Sequence, residues 1–117
     1  MSQDCIFCRI ARGELPSRKV YEDDDILAFH DIRPLAPVHF LIIPKVHVVN
    51  LYDADMKHQD VLGKILGMAG QLAREQGLED GFRTVINNGR IGGQEVYHLH
   101  LHVLGGPQPL RIGLPAA

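Results

Sequence analysis

The chain has 117 residues, 45% of them hydrophobic and 22% charged, which excludes disordered and fibrous classes and leads us to expect one globular domain. A formal net charge of −2 with no Lys/Arg cluster argues against binding to polymeric nucleic acid. The longest clear apolar run, Phe40 to Ile43, is far shorter than the roughly 20 residues that cross a bilayer, so no membrane span is expected.

The first residues, MSQDCIFCRIARGE, lack the apolar stretch of a secretory signal, and two cysteines three residues apart make no disulfide framework. A reducing, cytoplasmic setting is therefore expected. Asp4 is placed to cap a short helix over Cys5 to Arg12, with Ile6 and Ile10 on one face and Gly13 as its stop. Val20-Tyr21-Glu22 and Ile26 to His30 flank the acidic turn Asp23-Asp24-Asp25 and read as a hairpin. Pro34 and Pro37 bracket a loop. His39 to Ile43, ended by Pro44, reads as a strand buried on both faces.

Asp53 or Asp55 can cap one long helix, about Asp55 to Gln76, in which Leu62, Ile65, Leu66, Ala69, Leu72 and Ala73 keep the helical period and Gly77 closes the end. Gly63, Gly67 and Gly70 share a stripe although each interior glycine costs about 1 kcal/mol against alanine. The stripe fits either a close approach to a partner helix across a dimer or a small-residue face against the sheet. Phe82 to Asn87 and Val96 to Leu104 read as two strands pairing as an antiparallel hairpin around a glycine loop, Gly89 to Gly93. The prolines after residue 106 mark an irregular tail, residues 107–117. This order of elements gives an α+β class: a mostly antiparallel sheet, expected to be five-stranded, with one long and one short N-terminal helix and a core over about residues 5–106.

His98-Leu99-His100-Leu101-His102-Val103-Leu104 alternates three histidines with aliphatic residues. In a strand, alternate residues share a face about 6.6–6.8 Å apart, so the imidazoles would line one side while the aliphatic residues bury and fix the register. Imidazole titrates near pH 6.5, so neighbours can divide the work of nucleophile, proton donor and phosphate ligand. A chance run of half-buried histidines or an opportunistic metal site is the alternative. Cys5-x-x-Cys8 reads as half of a zinc site, as a redox pair, or as neither; a closed zinc site needs four ligands, so histidines would have to complete it.

The histidine run resembles the pattern of the histidine triad (HIT) family. The resemblance extends to Cys5-Ile6-Phe7-Cys8-Arg9-Ile10, Leu27 to Ile32, Ala36 to Lys45 and Gly92 to Tyr97, so it covers about residues 5–106 and points to the nucleotide-binding, purine nucleoside phosphoramidase branch. It implies that His100 attacks the α-phosphorus of a purine nucleoside phosphoramidate, giving a nucleotidyl-histidine that water resolves. It further implies that a backbone carbonyl orients His100, that His102 and His39 bind phosphate oxygens and share proton transfer, and that His98 completes the catalytic set. Backbone N–H groups of Gly93, Gln94, Glu95 and Val96 would face the phosphate. The nucleoside would lie against Ile6, Phe7, Ile10, Phe29 and Ile32, with Asp31 accepting from the ribose hydroxyls and Asn87 contacting phosphate or ribose. In metal-bearing members the cysteines are joined by two histidines, here His47 and His98, which implies structural zinc and no organic cofactor. A homodimer is implied as well.

Glu95 stands where animal relatives carry a serine, and the tail from Leu110 to Ala117 has no tryptophan. Gln94-Glu95-Val96-Tyr97-His98 partly overlaps the motif of a sister branch that hydrolyses dinucleoside polyphosphates. A nucleotide-sensing or scaffolding protein with incidental turnover is the third reading.

Overall fold

A computed structural model describes residues 5–110. Helix α1 (Ile6–Ala11) is followed by strands β1 (Lys19–Glu22), β2 (Ile26–His30) and β3 (Val38–Pro44). A 3₁₀ turn (Met56–His58) leads into helix α2 (Gln59–Glu75), and strands β4 (Arg83–Val85) and β5 (Leu101–Gly105) complete the elements among the described residues. The five strands form one antiparallel sheet in the order β1-β2-β3-β5-β4. The expected α+β class with a five-stranded antiparallel sheet, one long helix and a short N-terminal helix is the observed one.

Alternation along the strands splits the buried residues into two layers. Ile26, Ala28, Phe40, Ile42, Leu101 and Val103 pack with Ile65, Ala69, Leu72 and Ala73 of α2. Leu27, Phe29, Leu41 and Ile43 face the other side and pack with Phe7 of α1. β3 lies at the centre of the sheet and is buried on both faces, as its continuous run predicts.

Several boundaries differ from the expected ones. Cys5, rather than Asp4, is the N-cap seen on α1, its Sγ accepting from Cys8 N–H at 3.2 Å; Asp4 lies outside the described residues. Asp55 caps the 3₁₀ turn ahead of α2, while Asp53 accepts from Val49 N–H instead. Gly77, at φ +89°, ends α2 with paired bonds from Gly77 N–H to the Arg74 carbonyl and Leu78 N–H to the Ala73 carbonyl. Leu66 is not on the packed face of α2 but 61% exposed, next to the glycine stripe. That stripe does not face the sheet: a Cβ on Gly63, Gly67 or Gly70 would meet nothing within 4 Å.

β5 begins at Leu101, not Val96, so only His102 of the triad is on the ladder. The register pairs Ile42 with Leu101, which would bring Pro44 opposite Leu99, and Pro44 has no N–H to donate. Its carbonyl instead accepts from the His98 ring, and Leu99 N–H bonds the Val48 carbonyl. β4 likewise covers only Arg83–Val85; it pairs antiparallel with β5, but residues 86–100 between them form a long loop rather than a tight hairpin. Among the described residues, no helix is long and apolar enough to cross a membrane.

Candidate functional site

The sheet face opposite α2 carries the histidines. Leu41 is paired with His102 and His39 with Leu104, so His39 and His102 are diagonal neighbours on β3 and β5. His100 lies two residues before His102, its ring centroid 4.8 Å from that of His102. All three are nearly fully buried, and their hydrogen bonds fix the proton positions.

Leu35 N–H donates to His39 Nδ1 at 3.0 Å, so the His39 proton sits on Nε2. His39 Nε2–H then donates to His102 Nδ1 at 2.9 Å. The His102 proton must therefore be on Nε2, and this atom is the buried side-chain polar atom that lacks a partner among the described residues. An orphaned buried donor is costly, which is the signature of a position meant for an acceptor that arrives with a ligand. His100 Nδ1–H donates to the His98 carbonyl at 2.7 Å, leaving the lone pair on Nε2.

Burial favours the neutral form of each ring. It lowers His102 to about 4, with the neighbouring His100 and His39 adding to the effect. Burial also lowers His39, opposed by Asp31, and lowers His100, opposed by the His98 carbonyl and Asp31. At neutral pH the site thus offers one bare imidazole nitrogen beside one unpaired N–H.

A cavity of about 650 Å³ opens over these rings, a size typical of small-molecule sites. Its lining includes Ile6, Phe7, Ile10, Phe29, Asp31, Ile32, Glu95, Val96, His100 and His102. Ile32 is 89% exposed and Ile6 48%, so the apolar mouth is open rather than packed away as core. Asp31 sits at the end of β2, one oxygen accepting from Arg33 N–H at 2.8 Å and the other 3.5 Å from His39 Nε2. Arg18, Arg33 and Leu35 also line the cavity. Sequence reading missed them because they come from two loops that only the β1–β2–β3 pairing brings together.

Other expected contacts lie elsewhere. Gln94 is buried and does not line the cavity: Nε2 donates to the carbonyls of Val49 and Val96, and Oε1 accepts from Asn50 Nδ2 and Gly89 N–H. The N–H groups of Gly93 and Gln94 are spent on the carbonyls of Arg90 and Gly89, so they do not face the cavity as expected. Gly92 serves the loop itself, since a Cβ there would stand 2.5 Å from the Asn88 carbonyl oxygen. Asn87 is not among the lining residues. His39 stands behind His102 rather than on the cavity wall, and its Nε2 meets the His102 ring.

The His98 ring is likewise absent from the cavity wall, although the resemblance implies it in the catalytic set. Its Nε2–H donates to the Pro44 carbonyl at 2.7 Å, turning the Nδ1 lone pair toward Cys5 Sγ at 3.2 Å and Cys8 Sγ at 3.5 Å. His47 Nδ1 is 3.2 Å from Cys8 Sγ. The four ligand atoms lie within 4.8 Å of one another. A tetrahedral metal with bonds of about 2.3 Å to sulfur and 2.0 Å to nitrogen sets S···N at about 3.5 Å, close to these distances. Desolvation raises the Cys8 thiol to about 11, so a metal would have to displace its proton on binding.

Asp31, His39 and His102 form a second group of compatible atoms, but they do not fit a metal. A neutral His39 bound through Nε2 would carry its proton on Nδ1, facing the Leu35 N–H that now donates there.

Residues 12–108 match the HIT domain family. The chain is 46% identical over 107 residues to the purine nucleoside phosphoramidase of Escherichia coli, covering 91% of this chain and 90% of that protein. It is 50% identical over 107 residues to a 14 kDa zinc-binding protein of Brassica juncea, covering 90% and 95%. A crystal structure of a HIT family hydrolase from Legionella pneumophila superposes with a TM-score of 0.86 at 53% identity, covering 90% of this chain and 95% of that one. With the alternating histidines, the sheet that carries them and a family match over most of its length, this chain belongs to the HIT domain family.

Proposed function

We propose that the protein is a hydrolase of purine nucleoside phosphoramidates that works through a covalent bond between His100 Nε2 and the α-phosphorus. The observation that carries this reading is the pair of tautomers: His100 is held by the His98 carbonyl with Nε2 bare, and His102 presents an unpaired Nε2–H beside it.

The base lies between Ile6, Phe7, Ile10, Phe29 and Ile32, and Asp31 accepts from the ribose hydroxyls. His102 Nε2–H and the N–H groups of Glu95 and Val96 meet the non-bridging oxygens, where charge grows in the transition state. His100 Nε2 bonds to phosphorus as the P–N bond breaks. The leaving nitrogen takes up one proton from solvent at the open cavity mouth as the P–N bond breaks, and the attacking water returns one in the next step, because neutral His102 keeps its only proton on Nε2 for the phosphate oxygens. Water then attacks phosphorus, releasing the nucleoside monophosphate and restoring the imidazole. The relative from Escherichia coli named a purine nucleoside phosphoramidase supports this substrate class.

Zinc is the ion best suited to two thiolates and two imidazoles in tetrahedral array, and the relative named for zinc binding supports it. When bound it would brace Cys5, Cys8, His47 and His98. A homodimer is part of the proposal, supported by the open glycine stripe beside exposed Leu66 and by β4 lying at a sheet edge.

The test is release of nucleoside monophosphate from adenosine 5′-phosphoramidate by wild type and His100→Ala. A loss of several orders of magnitude is expected, as for removal of a nucleophile. Equal rates would overturn the assignment.

A further inference from the structure

His98 and Phe7 connect the metal cluster to the nucleotide cavity: His98 belongs to the first and Phe7 lines the second. The His98 ring contributes Nδ1 to the cysteines, while its carbonyl, 2.7 Å from His100 Nδ1, decides which nitrogen of the nucleophile carries the proton. Phe7 lies between Cys5 and Cys8 in sequence. Its ring stands edge-on to His98 at 6.0 Å, to His100 at 5.1 Å and to Phe29 at 5.4 Å, and it lines the cavity.

We propose that these connecting residues couple the two sites: metal held by Cys5, Cys8, His47 and His98 tightens binding of a purine nucleotide and locks the His100 proton on Nδ1. The proposal rests on the nucleotide reading of the cavity and extends it. A helix of six residues does not sustain itself in water, so α1 depends on what anchors it. Its anchors are the buried Phe7 and the two cysteines, one at its N-cap and one within it. Without metal these cysteines hold His47 and His98 only through weak S···N contacts, thiols being poor donors and acceptors. With metal, four coordinate bonds tie α1, the segment after β3 and the segment before β5 to one point. Phe7 and the His98 carbonyl are then fixed where the nucleotide and His100 need them. His98 and Phe7 act here as positioning residues.

The test uses the full chain, calorimetry with adenosine 5′-monophosphate, and protein either loaded with one equivalent of zinc or stripped by a chelator. The loaded form is expected to bind the nucleotide about tenfold more tightly, a coupling of ordinary size. Linkage then requires saturating nucleotide to tighten zinc binding by the same factor. His47→Gln, altered at a ligand that does not line the cavity, is expected to bind the nucleotide as the stripped protein does, with or without zinc. Nitrogen-15 spectra of the His100 ring are expected to show one tautomer in the loaded form and exchange between two in the stripped form, a change that general stabilisation would not produce.

Nucleotide affinities within twofold of each other, with one unchanged His100 tautomer, would overturn the coupling and leave the nucleotide reading standing. Failure of both forms to bind the nucleotide would overturn both. Should stripped protein unfold, the zinc affinities of wild type with and without nucleotide decide, and equal values would overturn the coupling.

Discussion

At the residue scale, the site depends on where protons sit rather than on which residues are present. Four buried imidazoles sit close together, and each is held neutral by desolvation. In the proposed mechanism His100 must be neutral to attack, and burial lowers its pKa below the ordinary value of 6.5, so that form persists into mild acid. The acid limb of kcat/KM is therefore expected to have its midpoint below 6.5, measured with a phosphoramidate whose own ionisation lies outside that window. A midpoint at or above 6.5 would mean that the imidazole is not desolvated as described. The residue types at the site were legible in the sequence. The roles of individual atoms were not, because they follow from long-range partners: His98 needs the Pro44 carbonyl, and His39 needs Leu35 N–H.

At the scale of elements, the long central strand and long helix announced themselves through runs and periods, and their ends were set by contacts that those patterns do not encode. Val96 to His100 alternate as a strand does, yet Pro44 stops the ladder and turns His98 toward the cysteines. Gln94 looked like a phosphate contact by position but stitches the loop at residues 49–50 to the one at 89–96. Two glycine substitutions separate a glycine that its loop needs from one that its helix does not. Gly92→Ala drives a methyl into the Asn88 backbone and is expected to destabilise by about 1–3 kcal/mol in urea unfolding. Gly67→Ala meets open space, and helix propensity alone would stabilise an isolated chain by about 1 kcal/mol. If α2 packs on a second copy, the same change instead shifts sedimentation toward monomer. A monomeric wild type would remove the homodimer from the proposal.

For the whole molecule, the same buried histidines make stability depend on pH. Burial holds His98 and His102 at about 4, and pulls His39 and His100 below 6.5, whereas unfolded histidines take up protons near 6.5. Between about 4 and 6.5 the unfolded chain therefore binds more protons than the folded one, and stability rises with pH across that window. Chelator-treated protein is expected to keep full stability above about 6.5 and to lose it steadily as pH falls toward 4, followed by urea midpoints. Below that, loss continues as Glu22, held at about 2 by Lys19 and Lys45, and Asp23, held low by backbone and Lys64 bonds, are protonated. A midpoint independent of pH from 7 to 5 would contradict the buried neutral histidines.

The most direct test of the central claim is to quench the reaction of adenosine 5′-phosphoramidate within one turnover and map the protein by mass spectrometry. The account predicts an adenylyl group on the peptide bearing His100, formed and lost at rates consistent with turnover and absent from His100→Ala. Turnover with no adduct on His100, or with the adduct on another residue, would contradict it.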